Sequence, residues 1–574
     1  MPRIRHLVLA FVAGTSWSLP GAAELEVSGV SEEVERNIRA FATIASEPCD
    51  AELWLIRRHY RDLDSEVRKA LEPFGFYNPT ITAELAKDEA CWHATLAVEP
   101  GEPVRFRSVD IAISGEASRD EAFADLAASP AMTPGAPLRH SDYDRLKRTL
   151  LVRAADRAYV DAEFTESRLD IWPEQNAADV SLQFDSGPRY RLGDISVEQD
   201  FLDPKVVFGY LDLEPGSYFD SSDLAQARRD LSDSAYFGRI DLSLDPENAT
   251  DGAIPLRLSL QPGTRIEYTV GVGASTDTSV RFRAGFRNNR VNSRGHRIIS
   301  DFGGSPVIQG ISAEYRIPLS DPRREWFSIT STLVNEETDT FDSEAQRVGA
   351  RWTKAMTDTW LRTLSLDVSN ESYALGEDID TSRTIVPGIS FDQKMSDKDI
   401  FPTRGRRLGA ELSGTDEVIG STTSYLQTKI WMRWIRSFGT GNRLLMRLDA
   451  GVTSSKNFSR LPPSVRFFAG GDQSVRGFDY NSLGPTDTSG SVIGGTNLLV
   501  ASVEYERHLS GNFYWAAFDD AGNAFDDTDF DPETGAGLGL KWRSPLGPVR
   551  IYLGYPVTGD DTNVRVHLRL GADL

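Results

Sequence analysis

The 574-residue sequence lacks any run of eighteen or more apolar residues beyond its N-terminal segment. An α-helix needs such a run to cross the hydrocarbon core of a bilayer, so the sequence predicts no transmembrane helix. Clustered positive charge is also missing, because 85 acidic residues outnumber 62 basic residues and give a net charge of −23. Phosphate backbones bind clustered cations, and this charge balance therefore argues against nucleic acid as a partner.

Recognisable catalytic motifs are absent as well. The sequence contains neither G-x-S-x-G nor H-E-x-x-H, and its histidines are scattered. Residues 527–531 resemble the start of a calcium-binding loop, but Pro532 stands where glycine is required and no glutamate closes the loop. We interpret His567 as a residue that lines the interior, or lumen, of the fold and not as a catalyst, because a general base needs partners within hydrogen-bond reach. We therefore expect no catalytic residues, no metal and no cofactor.

Cysteine is scarce, with Cys49 and Cys91 as the only two. In an oxidising compartment they can form a disulfide bond. The alternative is two buried thiols, because free cysteine is among the most buried residue types. We predict the disulfide.

The N-terminal segment has the composition of an export signal. Arg3 and Arg5 precede an apolar stretch over residues 7–17, and Gly21-Ala22-Ala23 offers small residues for cleavage. We predict a signal peptide over residues 1–23 and export from the cytoplasm.

The first half of the chain contains three repeats of about eighty residues each. In every repeat a small residue and an aromatic residue close an amphipathic helix and open a strand. These segments are Gly75-Phe76-Tyr77, Ala158-Tyr159-Val160 and Ala235-Tyr236-Phe237. The preceding helices are predicted over Ser65–Phe74, Ser141–Arg157 and Ser221–Ser234, and Ser31 opens an earlier helix, each with its first serine as N-cap. We predict three small α+β domains, each with the order strand, helix, helix, strand, strand, over residues 24–102, 103–188 and 189–263.

After Thr264 apolar residues recur at every second position. Residues 443–452 and 563–570 both place aliphatic side chains on one face and charged side chains on the other. A soluble β-sandwich would also alternate. Strand patterns of about nine to twelve residues and alternating short and long connections favour a membrane barrel instead. We predict sixteen antiparallel transmembrane strands over residues 264–574, with both barrel ends on the side of the repeats.

A long loop, residues 453–496, interrupts the late strands. It contains Val475-Arg476-Gly477-Phe478 together with Phe467 and Phe468, although aromatic residues are unfavourable at an exposed loop tip. We predict that this loop folds inward and is anchored by Arg476 against a buried carboxylate. The alternative is a packed surface loop.

These features together resemble the Omp85 superfamily, whose barrels carry a similar motif in the third-last long loop. The segments 518–525 and 544–550 also resemble its signatures. Three repeats and the final sequence, residues 570–574, are most similar to the TamA branch of that superfamily. The resemblance implies periplasmic POTRA domains and a barrel in the bacterial outer membrane.

The resemblance implies a non-enzymatic assembly factor. Such a protein would insert or secrete client outer-membrane proteins, autotransporters among them, in contact with outer-membrane lipids. A TamB-like partner anchored in the inner membrane would contact the first repeat. The alternatives are a passive porin or adhesin, a barrel hydrolase, and a barrel that serves lipid transfer with the TamB-like partner.

The wall partner of Arg476 is also taken from the resemblance. The aspartate of the family's strand motif corresponds to Asp520, and Asp519 stands where the family usually has an apolar residue. Successive residues on a strand face opposite sides. Phe518, Asp520 and Gly522 share one side in the family pattern, so we predict that Asp520 faces the lumen.

We also expect a weak seam between the first and last barrel strands, roughly Arg265–Ala274 against Asn563–Leu570. Gly271, Gly273 and Gly571 would weaken the pairing. An unpaired strand edge is unfavourable inside a membrane, and a client strand that pairs with it would lower the barrier to its own insertion. We therefore predict lateral opening at this seam.

Overall fold

The computed structural model describes residues 24–87, 91–127, 131–376, 378–398, 400–545, 547–559 and 563–570. The predicted signal peptide and Gly571 lie outside these residues. The described chain divides into two compact units. The first reaches Ile195 and includes Leu213–Leu224 and Leu244–Leu256, and the second comprises Ser196–Asp212, Ala225–Ser243 and Arg257 onward. None of the helices in the described ranges is long and apolar enough to cross a membrane.

The N-terminal half contains three three-stranded sheets. Their strands are β1 (Glu24–Ser28), β2 (Thr80–Lys87), β3 (Trp92–Glu99), β4 (Arg105–Ser114), β5 (Glu163–Trp172), β6 (Ala177–Asp185), β7 (Arg191–Glu198), β8 (Phe237–Leu244) and β9 (Ala253–Pro262). The helices are α1 (Glu32–Phe41), α2 (Leu53–Leu71), α3 (Ala124–Ala127), α4 (His140–Asp156), α5 (Pro204–Phe208) and α6 (Ser221–Asp233). The strand orders are β1-β3-β2, β4-β6-β5 and β7-β9-β8. Each sheet therefore follows the predicted order of strand, helix, helix, strand, strand.

The start of α2 differs from the prediction because burial, not a serine cap, decides where this helix begins. α2 begins at Leu53, since Ile56 and Leu63 are buried on its inner face. Ser65 lies within the helix, and its hydroxyl donates to the carbonyl of Asp62 at 2.9 Å.

The other three predicted helices begin within one residue of the predicted positions. Ser31 occupies the N-cap position of α1, α4 begins at His140 and α6 begins at Ser221. The predicted capping bonds are not formed, because Ser31 makes no side-chain cap bond, Ser141 lies inside α4, and the Ser221 hydroxyl donates to Asp156 at 2.9 Å.

The predicted helix-closing residues do share one backbone conformation. Gly75, Ala158 and Ala235 have φ values of 86°, 61° and 57°. Alanine rarely adopts this left-handed region, because its Cβ crowds the neighbouring carbonyl. The aromatic residue after each alanine, Tyr159 or Tyr236, is buried, so core packing stabilises the sharp turn from helix to strand.

The first sheet has its own core and a covalent link. Ile38, Leu63 and Trp92 are among the residues buried between its helices and strands. Cys49 and Cys91 form a disulfide with an Sγ–Sγ distance of 2.06 Å. The bond joins the segment before α2 to the start of β3.

Sixteen antiparallel strands form a closed barrel, in agreement with the predicted fold. They are β10 (Ile266–Ser275), β11 (Ser279–Asn288), β12 (Arg297–Gly304), β13 (Ile308–Pro318), β14 (Glu325–Glu337), β15 (Phe341–Ala355), β16 (Trp360–Leu375), β17 (Asp378–Ser396), β18 (Arg404–Thr415), β19 (Tyr425–Phe438), β20 (Asn442–Ser455), β21 (Asn497–Ser510), β22 (Phe513–Phe525), β23 (Glu533–Ser544), β24 (Gly547–Pro556) and β25 (Arg565–Leu570). Each strand pairs with its chain neighbour, and β10 with β25 closes the ring. Apolar side chains such as Val348, Leu366 and Leu553 are exposed on the outer face, as a lipid-facing surface requires.

Candidate functional site

The long connection between β20 and β21, residues 456–496, folds against the inner face of the barrel. Its aromatic residues Phe467 and Phe478 are buried. Phe468 packs on Phe341 of β15, with ring centroids 5.2 Å apart. The apolar side chains that would be unfavourable at a surface loop are thus covered by the wall.

Gly477 brings the loop backbone close to the last strands. Its φ of 102° lies in the region that favours glycine. A Cβ at this position would lie 3.0 Å from a backbone nitrogen of β24. The Gly477 N–H donates to Nε2 of His567 on β25 at 2.9 Å. Val475 and Phe478, on either side, pack in an apolar cluster with Val500 of β21.

Arg476 is the most completely bonded residue of the loop. Its Nε and Nη2 donate to the two carboxylate oxygens of Asp520 at 2.7 and 2.8 Å. Its Nη1 donates to Oε2 of Glu504 at 2.6 Å, and its Nη2 also reaches Oγ of Ser502 at 3.3 Å. The backbone N–H of Arg476 donates to the same Asp520 carboxylate at 3.1 Å. One arginine therefore joins the loop to both β21 and β22.

The surroundings of this ion pair exclude water. Arg476 is 5% exposed, Asp520 0% and Glu504 7%. The guanidinium lies 3.5 Å from the ring centroid of Phe518 and 4.7 Å from that of Tyr552. Burial by itself would lower the pKa of Arg476, but the nearby carboxylates raise this pKa above its ordinary value. The charge is thus fixed inside the barrel, and its bonds cannot be exchanged for water.

The structure places the predicted residues as follows. Asp520 faces inward and meets Arg476, whereas Asp519 is exposed on the opposite face of β22. Phe478 contacts the apolar cluster at Val500, and the rings that cover the guanidinium belong to other residues. Sequence reasoning missed Glu504. The alternation of β21 was the available signal, because Ser502 pairs with Asp520 and Glu504 shares its face.

The loop also reaches both strands that close the barrel. Besides the bond from Gly477 to His567 on β25, the backbone N–H of Asp472 donates to Oδ2 of Asp277 at 2.6 Å. Asp277 lies in the turn that connects β10 to β11. The guanidinium of Arg447 on β20 donates to the carbonyl of Ser474. One loop therefore contacts β25 on one side of the closing pair and the turn that follows β10 on the other.

The ring closes between β10 and β25, and within the described residues this pairing is seen at Ser275 opposite Arg569. The predicted pairing of the first and last strands is confirmed, because Arg569 lies within the predicted range Asn563–Leu570 and Ser275 directly follows Arg265–Ala274. Across the seam, Nη2 of Arg281 donates to the carbonyl of Leu570 at 3.0 Å.

Of the predicted seam glycines, Gly271 and Gly273 lie on the inner face of β10, and Gly571 lies outside the described residues. A Cβ at Gly273 would lie 2.8 Å from Nε of Arg281, so this glycine makes room for that side chain. A Cβ at Gly271 would meet no atom within 4 Å. Gly271 therefore leaves open space in the lumen beside the seam.

The chain matches two protein-family models and is similar to two outer-membrane assembly proteins. The model of the Omp85 superfamily domain matches residues 263–573, and the model of TamA POTRA domain 1 matches residues 24–100. The sequence is 22% identical over 424 residues to the outer membrane protein assembly factor BamA of Nitratidesulfovibrio vulgaris, covering 70% of this chain and 53% of that protein. It is 21% identical over 570 residues to BamA of Neisseria meningitidis serogroup B, covering 86% of this chain and 70% of that protein. The chain thus spans about half the length of the first of these relatives.

A solved structure shares the fold. The crystal structure of BamA from Haemophilus ducreyi lacking POTRA domains 1–3 aligns with a TM-score of 0.69 at 16% identity, over 82% of this chain and 99% of that chain. The superfamily model itself covers more than half of the sequence. The chain therefore belongs to the Omp85 superfamily, as an outer-membrane β-barrel whose N-terminal domains, the first of them TamA-type, lie in the periplasm.

Proposed function

We propose that the protein is an assembly factor that inserts or secretes client β-barrel proteins, autotransporters among them, through the seam between β10 and β25. The observation that carries this proposal is the closure of the barrel between its first and last strands, beside a loop that bonds to β25 and to the turn after β10. Backbone N–H and C=O groups without partners are unfavourable inside a bilayer. A client strand that pairs with β10 would satisfy the same groups that β25 satisfies, so it can take the place of β25 at this edge.

The inward loop supports the proposal because it contacts both sides of the seam. Gly477 bonds to His567 on β25, and Asp472 bonds to Asp277 beside β10. Arg476 meanwhile ties the loop to β21 and β22, which share twelve continuous residue pairs before a bulge near Ser510. The loop would thus hold the seam strands from the lumen while β21 and β22, three to four strands away from β25, stay fixed.

We further propose that all three N-terminal sheets are POTRA domains and that a TamB-like, inner-membrane-anchored protein contacts the first. In that sheet β1 and β2 are edge strands and β3 is central. An extended segment of the partner can join an edge strand through main-chain hydrogen bonds. In this proposal the protein has no catalytic role, and its work consists of binding client strands and outer-membrane lipids.

Reconstitution of the full mature chain into lipid vesicles tests the function. An unfolded client autotransporter barrel is added, and its folding is followed by heat-modifiable mobility and protease protection. We expect faster client folding than in empty vesicles and in vesicles that hold a porin of similar size. Client folding at the porin rate would contradict the proposal, and solute flux without client folding would favour a passive channel.

The remaining alternatives have separate readouts in the same vesicles. A fluorescent-lipid exchange assay with the TamB-like protein measures lipid transfer, and release of fatty acid measures hydrolysis. Lipid exchange that rises while client folding does not would assign the barrel to lipid transfer. Release of fatty acid would identify a hydrolase and contradict the absence of a catalytic role.

A further inference from the structure

The Asp519 carboxylate faces the lipid within the apolar band of the barrel. Asp519 is exposed on β22, while its neighbours Phe518 and Asp520 are buried on the inner face. Because side chains alternate along a strand, the Asp519 carboxylate lies on the outer face. It takes no part in the loop site, because Asp520 is the one of these two neighbouring aspartates that bonds to Arg476.

The depth of Asp519 follows from the aromatic residues on the same outer face. Trp515 precedes it by four positions and packs against Tyr505 with ring centroids 5.5 Å apart. Phe525 follows it by six positions and packs against Phe530 at 4.9 Å. Aromatic residues mark the two interfaces of an outer-membrane barrel, so Asp519 lies between them, inside the hydrocarbon region.

The side chains directly beside and directly opposite Asp519 are small and apolar. Val503 and Ala536 stand opposite it on the neighbouring strands, and Ala517 and Ala521 flank it on β22. With Ala501, which stands opposite Ala521, these residues form the Asp519 patch: Asp519, Ala501, Val503, Ala517, Ala521 and Ala536.

The other diagonal outward positions are Tyr505, Thr534 and Leu538, of which Tyr505 donates its hydroxyl to Asn442 at 2.6 Å. None of these neighbours carries a positive charge. The carboxylate therefore has no cation beside it on this wall.

We propose that the Asp519 patch is a docking surface inside the bilayer for a second outer-membrane protein that presents an arginine or lysine at the same depth. An ionisable residue within a membrane is unfavourable unless it is paired, and this pairing supplies the missing cation. The alanines let the backbone of the partner approach closely, as small residues do at interfaces within membranes. A second copy of this chain does not fit, because a symmetric contact through the patch would bring two Asp519 carboxylates together.

Site-specific photo-crosslinking in cells tests this proposal with the full chain in its native membrane. A photo-reactive amino acid replaces Ala521 in the patch, and the matched control replaces Val348, which is exposed on the outer face of the distant strand β15. We expect an adduct with a different outer-membrane protein from position 521 and none from position 348. Sequencing of the adduct should place the contact in a membrane-spanning segment that contains arginine or lysine.

Variants that change the charge at Asp519 test whether its carboxylate is required for the contact with the partner protein. Asp519→Leu should lower the adduct yield at least tenfold while heat-modifiable mobility shows a folded barrel. Asp519→Lys should also abolish the adduct, and Glu in place of the partner's cation should restore it. An adduct that persists in Asp519→Leu, an adduct with lipid only, or an adduct with a second copy of this chain would overturn the proposal.

Discussion

The seam and the loop site are two regions of one barrel wall that are held together by different kinds of contact. At the seam, the backbone of Ser275 in β10 pairs with that of Arg569 in β25. At the loop site, Arg476 alone makes five hydrogen bonds to β21 and β22 through its side chain and backbone. The difference indicates where the barrel can open without unfolding, because backbone pairing at the seam can be exchanged for pairing with another strand, whereas the buried charges of the loop site satisfy each other.

The largest effect is expected where the loop site is broken. Arg476→Ala leaves Asp520 and Glu504 buried without their cation, and Asp520→Ala leaves the arginine with one carboxylate. Removing one partner of a buried ion pair costs about 3–5 kcal/mol. We expect each variant to lose about that much stability and to assemble clients poorly. Urea unfolding followed by heat-modifiable mobility measures the loss.

A double-mutant cycle shows whether the two residues act as a pair. The variant with both substitutions should lose far less than the sum of the two single losses. Asp519→Ala is the matched control, because Asp519 is exposed on the other face of the same strand and should leave barrel stability unchanged or higher. Additive losses would mean that the pair does not hold the loop.

The second prediction concerns the disulfide of the first periplasmic domain, whose removal should destabilise that domain and leave the barrel unchanged. Replacing Cys49 and Cys91 by serine removes a cross-link between residues 42 positions apart. The chain-entropy relation gives a loss of about 4 kcal/mol for a loop of this size. Hydrogen exchange should rise in residues 24–102 and stay constant in the barrel. Alkylation with intact-mass measurement checks the bond itself, and two free thiols in the native protein would refute it.

A third prediction concerns Glu504, the second carboxylate at Arg476. Glu504→Gln keeps the shape and removes the charge, so a charge-assisted hydrogen bond is replaced by a neutral one. We expect a loss of about 1.5–3 kcal/mol, smaller than that of Asp520→Ala. The same urea unfolding experiment measures it. A loss equal to that of Asp520→Ala would show that the two carboxylates hold the loop equally.

The smallest effect is expected from pH at the contact between loop and seam. Burial and the nearby Asp472 carboxylate raise the pKa of Asp277 to about 7. Because the folded state favours the protonated acid, this contact is most stable at low pH and weakens as pH rises from about 4 through about 7. Thermal midpoints measured between pH 5 and pH 8 should fall with pH. Asp277→Asn should flatten this dependence, and an unchanged slope would assign the effect to another group.

The sequence predicts the barrel well because period-two alternation is a local property of each strand. The sixteen strands and the helix-closing residues Gly75, Ala158 and Ala235 follow from such local patterns. The start of α2 does not, because the helix begins at Leu53, which is exposed, and no side-chain cap marks that point. The burial of Ile56 in the core, a tertiary contact, accounts for that boundary.

The loop site shows the same limit. The family motif supplies Arg476 and Asp520, and parity selects Asp520 over Asp519. Glu504 and His567 come from strands whose own patterns look like ordinary lumen lining. Only the register of β21 against β22, and the path of the loop toward β25, bring them to Arg476 and Gly477. Such partners come together only through tertiary contacts, which the sequence of a single segment does not predict.

The central claim is that client assembly requires the seam to open, and a disulfide across the seam tests it most directly. Cysteines at Ser275 and Arg569 face each other across β10 and β25. The matched control pairs cysteines at Leu553 and Val566, which already face each other across β24 and β25. We expect oxidation to stop client assembly in the seam variant, reductant to restore it, and the control to stay active throughout. Full client assembly by the oxidised, cross-linked seam variant would contradict lateral opening.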